Sequence, residues 1–237
     1  MALILCIETG TEICSVALAL DGKVISLRES SLGRDHAKNL GVFIDEILRG
    51  TEYKSSDLDA VAVSKGPGSY TGLRIGVSIS KALCYALNIP LIGIGSLESL
   101  TNVFLDDFQA GILDVEDLSK AVLCPMIDAR RMEVYTQLFS PEAKAISEIE
   151  AHILTEDSFS EQLNSGKQLL VFGDGASKSL DVIHNENIKY LNVAPSSRGL
   201  ARLAEQAYLR GEKEDTAYFE PLYLKDFMIH KSNKKFF

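Results

Sequence analysis

Four glycines within thirteen residues constrain this chain more than any other feature: SKGPGSYTGLRIG, residues 64–76, leads from a segment that reads as a buried strand into one that reads as a helix. Such a turn can hold a phosphate, let another backbone come close, or merely reverse the chain. Its spacing excludes the two common phosphate motifs. The Walker pattern needs Gly-x-x-x-x-Gly-Lys-Ser/Thr and the dinucleotide fingerprint Gly-x-Gly-x-x-Gly, whereas Gly66, Gly68 and Gly72 leave three residues before the last glycine. What remains is general: unpaired N–H groups at a helix N-terminus draw an anion, with Lys65 and Arg74 adding charge. A structural turn capped by Ser69 or Thr71 is the alternative. Beyond the turn, Gly72, Gly76, Ser80 and Cys84 recur every four residues as a stripe of small side chains, against which an element of this chain or of a partner can pack closely. Val77, Leu83 and Leu87 lie on the opposite, apolar side.

The rest of the chain organises itself around this segment. Residues 3–7, 15–20 and 24–28 read as three meandering strands. In 36–48, Leu40, Phe43, Ile44, Ile47 and Leu48 have the spacing of an amphipathic helix. A strand at 57–63, a helix at 71–87 and a strand at 91–94 complete the order βββαβαβ. A second meander begins at Ala121, with two strands around Asp128–Arg131. It continues with a helix near 156–163, a strand at 168–172, a Gly-Asp-Gly turn, a short helix from Ala176 and a strand near 188–193. The second half thus repeats the first in outline, as an α/β duplication of βββαβα lobes. Residues 102–119 read as an acidic, irregular linker, and PSSRGLARLAEQAYLRG as a helix over 197–210, capped by Ser196 or Ser197 and stopped at Gly211. The expected lobes are 1–100 and 101–237, with the 197–210 helix and the C-terminal tail packing back on the first.

Candidate chemistry gathers at matching turns. Glu8, with Gly10 and Thr11, ends the first strand; Asp128 ends its counterpart; Asp174 sits between Gly173 and Gly175. Each alone is equally a solvated turn residue. Together with Gly66 and Gly68 they would line a central nucleotide cleft, with Glu8 placed to hold a hydrated metal beside a phosphate. His36, His152, His184 and His230 show no His-x-x-x-His spacing, and no serine stands in a Gly-x-Ser-x-Gly elbow. A zinc peptidase and a serine hydrolase are therefore excluded, and no catalytic constellation is found. A net charge of −9 repels a nucleic-acid backbone, so RNA would need a basic partner. Cys6, Cys14, Cys84 and Cys124 lack Cys-x-x-Cys spacing and read as reduced core residues, which suits the cytosol. MALILCIETG has no basic leader, and no apolar run reaches the roughly 18 residues of a membrane helix.

LCIETGTEICSVAL, HAKNL before an apolar helix, KGPGSYTGLRIGVSISKAL, IGIGSLESL, MIDARRMEVYTQLF and the late EPLYLK, in order from residue 3 to 225, resemble the TsaB (YeaZ) family. The resemblance implies a two-lobed actin-like (RNase H-like) fold. It implies a role in making threonylcarbamoyladenosine, beside the anticodon of tRNAs that read codons starting with A. TsaB would be the non-catalytic paralogue that dimerises with TsaD and activates it, with TsaE as the associated ATPase. TsaD holds its metal with a His-x-x-x-His pair; the matching positions here are His36 and Leu40. The resemblance places the TsaD interface on the first two helices: His36, Leu40, Phe43, Ile44, Ile47, Gly72, Arg74, Gly76 and Ser80. It reduces Glu8, Gly10, Thr11, Gly66, Gly68, Asp128, Gly173, Asp174 and Gly175 to a vestigial nucleotide site, since Glu8 stands where the family commonly has aspartate. No cofactor held tightly by this chain alone is expected, ATP being left to the complex, and no metal. The chain would meet tRNA only through the complex, and the exposed helix pair would favour a homodimer in isolation. The basic end HKSNKKFF reads as a solvated tail. The competing class is a stand-alone ATP-dependent enzyme, such as a small kinase using Glu8, Asp128 and the glycine turns.

Overall fold

The computed structural model describes residues 2–31 and 35–225. Three antiparallel strands, β1 (Leu3–Glu8), β2 (Cys14–Leu20) and β3 (Lys23–Ser30), open the first lobe. The helix α1 (His36–Arg49) then crosses to β4 (Ala60–Ser64), and α2 (Tyr70–Leu87) to β5 (Leu91–Ile94), both strands running parallel to β1. β4 begins at Ala60 rather than residue 57 because Ser55–Asp57 forms a 3₁₀ turn instead. The sheet order is β3-β2-β1-β4-β5. Every residue of β1 is buried because both faces are covered. With a period of two, Leu3, Leu5 and Ile7 meet α1 and α2, while Ala2, Ile4 and Cys6 face the other way. Ser69 caps α2, accepting from Gly72 N at 3.3 Å, and Asn88 closes it in the left-handed region at φ 53°.

The second lobe repeats this topology with β6 (Ala121–Asp128), β7 (Glu133–Thr136), β8 (Glu150–Ile153), β9 (Gln168–Phe172) and β10 (Ile188–Leu191), in the order β10-β9-β6-β7-β8. Its third strand, β8, implied by the βββαβα repeat, is given no position in the sequence reading, since EAHI is four residues of mixed polarity. The crossovers shrink to α4 (Ser160–Asn164) and a 3₁₀ turn, Ala176–Asp181.

The acidic linker expected at 102–119 is a helix for its first part: α3 (Ser96–Gln109) runs straight through the 100/101 division. Leu97, Leu100, Val103 and Phe104 recur at helical spacing and pack on the second sheet, with the Phe104 and Phe172 rings stacked 4.6 Å apart. Asp106 and Asp107, two of the five acids in this segment, are counter-ions to Arg202 (3.7 Å) and Arg198 (2.8 Å). Those arginines flank the start of α5 (Ala201–Leu209), which follows a 3₁₀ turn capped by Ser196. Ala201, Ala204 and Ala207 of α5 pack on the first sheet against Ile4, Cys6, Ala17 and Ala62. Each lobe's last helix therefore covers the other lobe's sheet. All four cysteines are buried and free.

Residues after Gly211 form a strap over the first lobe. Glu214 N donates to Leu91 O at 2.8 Å, Lys81 Nζ to Ala217 O and Phe219 O at 3.0 and 3.1 Å, and Leu222 N to Lys65 O at 2.7 Å. Lys225 then pairs with Glu133 of β7, tying the strap to the second lobe. His230 and the basic tail lie outside the described residues. Among the described residues no helix is long and apolar enough to cross a membrane.

Candidate functional site

The turn between β1 and β2 sits at the centre of the first lobe, and its carboxylate is already engaged, while the buried Thr9 hydroxyl has no hydrogen-bond partner. Glu8 is 2% exposed, and its Oε1 accepts from Gly10 N at 2.6 Å and Ser64 Oγ at 2.8 Å. Burial pushes this carboxyl above its ordinary range, the Asp174 charge pushes it the same way, and the two hydrogen bonds pull it back.

The glycine-rich segment closes over that turn. Ser69 N donates to Gly10 O at 2.6 Å. A Cβ at Gly68 would overlap the Gly10 carbonyl oxygen, one at Gly72 the Thr9 carbonyl oxygen, and one at Gly76 the Thr9 hydroxyl. Gly66, at φ +107°, lies against Leu222 O of the strap, and its N–H donates to Ser96 Oγ at 3.1 Å. The glycines serve close packing, and the element packed against them is the chain's own hairpin.

The second lobe's turn is filled in the same manner. Asp128 Oδ1 accepts from Arg130 N at 2.5 Å and from Lys178 Nζ at 2.6 Å, and Lys178 also donates to Glu133 O. Lys178 thus supplies from within the chain the positive charge that a bound cation would otherwise bring to Asp128. Asp174 Oδ1 accepts from Asp128 N at 3.2 Å. Although Asp174 reaches solvent, desolvation, then the Asp128 and Glu12 charges, push its carboxyl up to about 6. A Cβ at Gly173 would overlap Met126 O, and one at Gly175 would crowd the Ile127–Asp128 peptide. Glu8 and Glu12 of the first hairpin lie close enough to Asp174 to act on its region electrostatically, so the two turns face one another. Among the described residues no group of three or more His, Cys, Asp or Glu is placed to hold a metal ion.

The residues expected at a partner interface divide by exposure. Leu40, Ile44 and Ile47 are buried against the first sheet; His36 is buried with Nε2 2.9 Å from Thr11 O; Gly72 and Gly76 are buried under the hairpin, and Ser80 is fully buried. These seven are covered by the chain itself, because the face of α1 with the strongest apolar period is the one its own sheet takes. Phe43 is half-buried, and Arg74 is exposed. Its guanidinium lies 4.2 Å from the Tyr70 ring centroid and donates to Tyr223 Oη at 3.2 Å. The outward surface of the pair carries Val42, 48% exposed, and Tyr85, 87% exposed, beside half-buried Ile75 and Ile79. Sequence reasoning missed Val42, Tyr85 and Lys178. The signal for the first two was an apolar residue standing on the polar side of an amphipathic helix.

Comparison with known proteins bears on this geometry. The model of the family described as TsaD: tRNA N6-adenosine threonylcarbamoyltransferase matches residues 30–231. The chain is 29% identical to the tRNA threonylcarbamoyladenosine biosynthesis protein TsaB of Haemophilus influenzae, covering 94% of this chain and 93% of the relative. It is 27% identical to the protein of the same name from Escherichia coli, covering 94% of each. Among solved structures, YeaZ from Pseudomonas aeruginosa superposes with a TM-score of 0.79 at 24% identity, over 94% of this chain and all of that one, a likeness of fold.

Proposed function

Because the chain belongs to the TsaD family and matches TsaB proteins along nearly its whole length, we propose that it serves tRNA threonylcarbamoyladenosine biosynthesis as a non-catalytic scaffold that binds and activates TsaD. One observation carries this reading. The glycine-rich segment that would hold a phosphate in an ATP-using relative is packed against Thr9 and Gly10, so the loop's small residues make room for backbone rather than for a ligand. Lys178 on Asp128 and the doubly bonded Glu8 support the same conclusion in the two facing turns. At the position one turn after His36 stands Leu40, fully buried, which offers no donor for a metal.

The docking surface in this reading is the outer side of α1 and α2, around Val42, Phe43, Ile75, Ile79 and Tyr85, with Arg74 at its edge. TsaE and tRNA reach the chain through the complex with TsaD, in the cytoplasm, and ATP belongs to that complex. Isolated, the same surface favours a homodimer.

The test is co-purification with TsaD of the wild type and of Val42→Asp combined with Ala82→Arg, both exposed positions. The double variant is expected to keep its circular dichroism spectrum and lose the complex. Retention of the complex overturns the docking surface. A wild type that fails to bind TsaD but binds ATP with magnesium moves the assignment to a stand-alone ATP-dependent enzyme.

A further inference from the structure

The strap and the two lobes enclose a cavity of about 540 Å³ that the scaffold role does not use. It lies at the carboxyl ends of the parallel strands β4 and β5, between residues 65–67 and the turn into α3. The end of α5 and strap residues 212–214 form its outer wall, and Gln137 and Ile149 of the second lobe close the far side. Open α/β sheets hold ligands in this crevice, outside the carboxyl ends of adjacent strands. The volume falls in the range of small-molecule sites.

The lining combines an apolar floor with charges of opposite sign, an unpaired Glu98 carboxylate and the Lys65 ammonium. Ile94, Leu203 and Ala207 make the floor. Glu98, solvent-accessible in the first turn of α3, has no hydrogen bond or ion pair from its carboxylate among the described residues. Desolvation holds that carboxyl above its ordinary range even though Lys65 and Arg210 act to lower it. Neither cation is bonded to it. Arg210 is held by Glu212 at 2.6 Å, and Lys65, which lines the cavity, is ion-paired with Glu214 at 3.6 Å, beyond hydrogen-bond distance. Lys65 and Glu98 thus line one cavity and act on one another without pairing, so a molecule carrying both charges would engage both.

We propose that this cavity binds a small zwitterion with an apolar body, its ammonium on Glu98, its carboxylate on Lys65 and its body on the Ile94–Leu203–Ala207 floor. The site is independent of TsaD docking, and the isolated full chain suffices to test it. The probes are L-leucine and its two half-molecules, 3-methylbutylamine and 4-methylpentanoate, followed by saturation-transfer NMR. L-leucine is expected to bind about tenfold more tightly than either half, and Glu98→Gln to weaken it about tenfold. Glu98→Lys is expected to reverse the order, so that 4-methylpentanoate binds better than L-leucine, a gain that a merely destabilised variant cannot produce. No saturation transfer from L-leucine at about 10 mM, equal binding of the three probes, or unchanged L-leucine binding by Glu98→Gln overturns the assignment.

Discussion

Thr9 decides which residues α2 can carry. Its carbonyl oxygen and hydroxyl occupy the volume that side chains at positions 72 and 76 would need, and backbone there cannot retreat without lifting the hairpin from the helix. Gly72→Ala is expected to cost about 3 kcal/mol or more. Gly41→Ala, in α1 with nothing within 4 Å, is expected to gain about 0.5–1 kcal/mol from helix propensity alone; urea denaturation of the two variants measures the contrast. Glu8 separates shape from charge. Glu8→Gln keeps the acceptor for Gly10 N and Ser64 Oγ and should stay within about 1 kcal/mol of the wild type, whereas Glu8→Ala leaves both donors buried without a partner and should cost about 2–4 kcal/mol. Asp174 gives the fold a pH dependence of definite sign. With its carboxyl raised from 3.8 to about 6, the folded state keeps a proton that the unfolded chain has already lost between those values. Stability is therefore highest below pH 3.8 for this group, falls as the pH climbs to about 6, and stays lower above. Asp174→Asn, which keeps the acceptor for Asp128 N, should stabilise the protein at pH 7 by up to about 1 kcal/mol, the full shift being discounted because the residue reaches solvent. The gain should vanish near pH 4 in matched denaturation curves.

At the level of elements, what the sequence disclosed depends on how many residues share one periodicity. α1 and α2 were legible because Leu40, Ile44 and Ile47, and the small stripe from Gly72 to Cys84, repeat over several turns. The stripe's meaning as close approach was legible too, but not the identity of what approaches, because Thr9 and Gly10 are distant in sequence and carry no periodic mark. α3 was not read at all, because Asp106 and Asp107 look like a solvated run until Arg198 and Arg202 stand opposite them. Glu8, Asp128 and Asp174 were legible as a set of facing turn acids, but their partners Ser64 and Lys178 were not, since neither lies within a turn of the acid it satisfies. α3 supplies most of the helical cover on its sheet, so Phe104→Ala, which empties the stack on Phe172, should cost about 3–5 kcal/mol. Thermal unfolding followed by far-ultraviolet circular dichroism reads that loss.

For the whole molecule, the exchange of last helices matters more than the likeness of the lobes. α3 leaves the first lobe to pack on the second sheet and α5 returns from the second to pack on the first, with Gly199 set so tightly beneath α3 that a side chain there would overlap Ser99 O. Neither sheet is covered by residues of its own half alone, so unfolding is expected to be a single transition, with tyrosine fluorescence and circular dichroism giving coincident curves. Two separated transitions would show that the lobes hold themselves. The same exchange sets an order of events on the ribosome. β1, β2 and β4 are complete by Ser64, yet the face they turn toward α5 stays bare until Leu209 has been added. A nascent chain of this protein carries an uncovered apolar sheet from the synthesis of Ser64 to that of Leu209, and its yield in the cell therefore depends on what shields that sheet before α5 arrives.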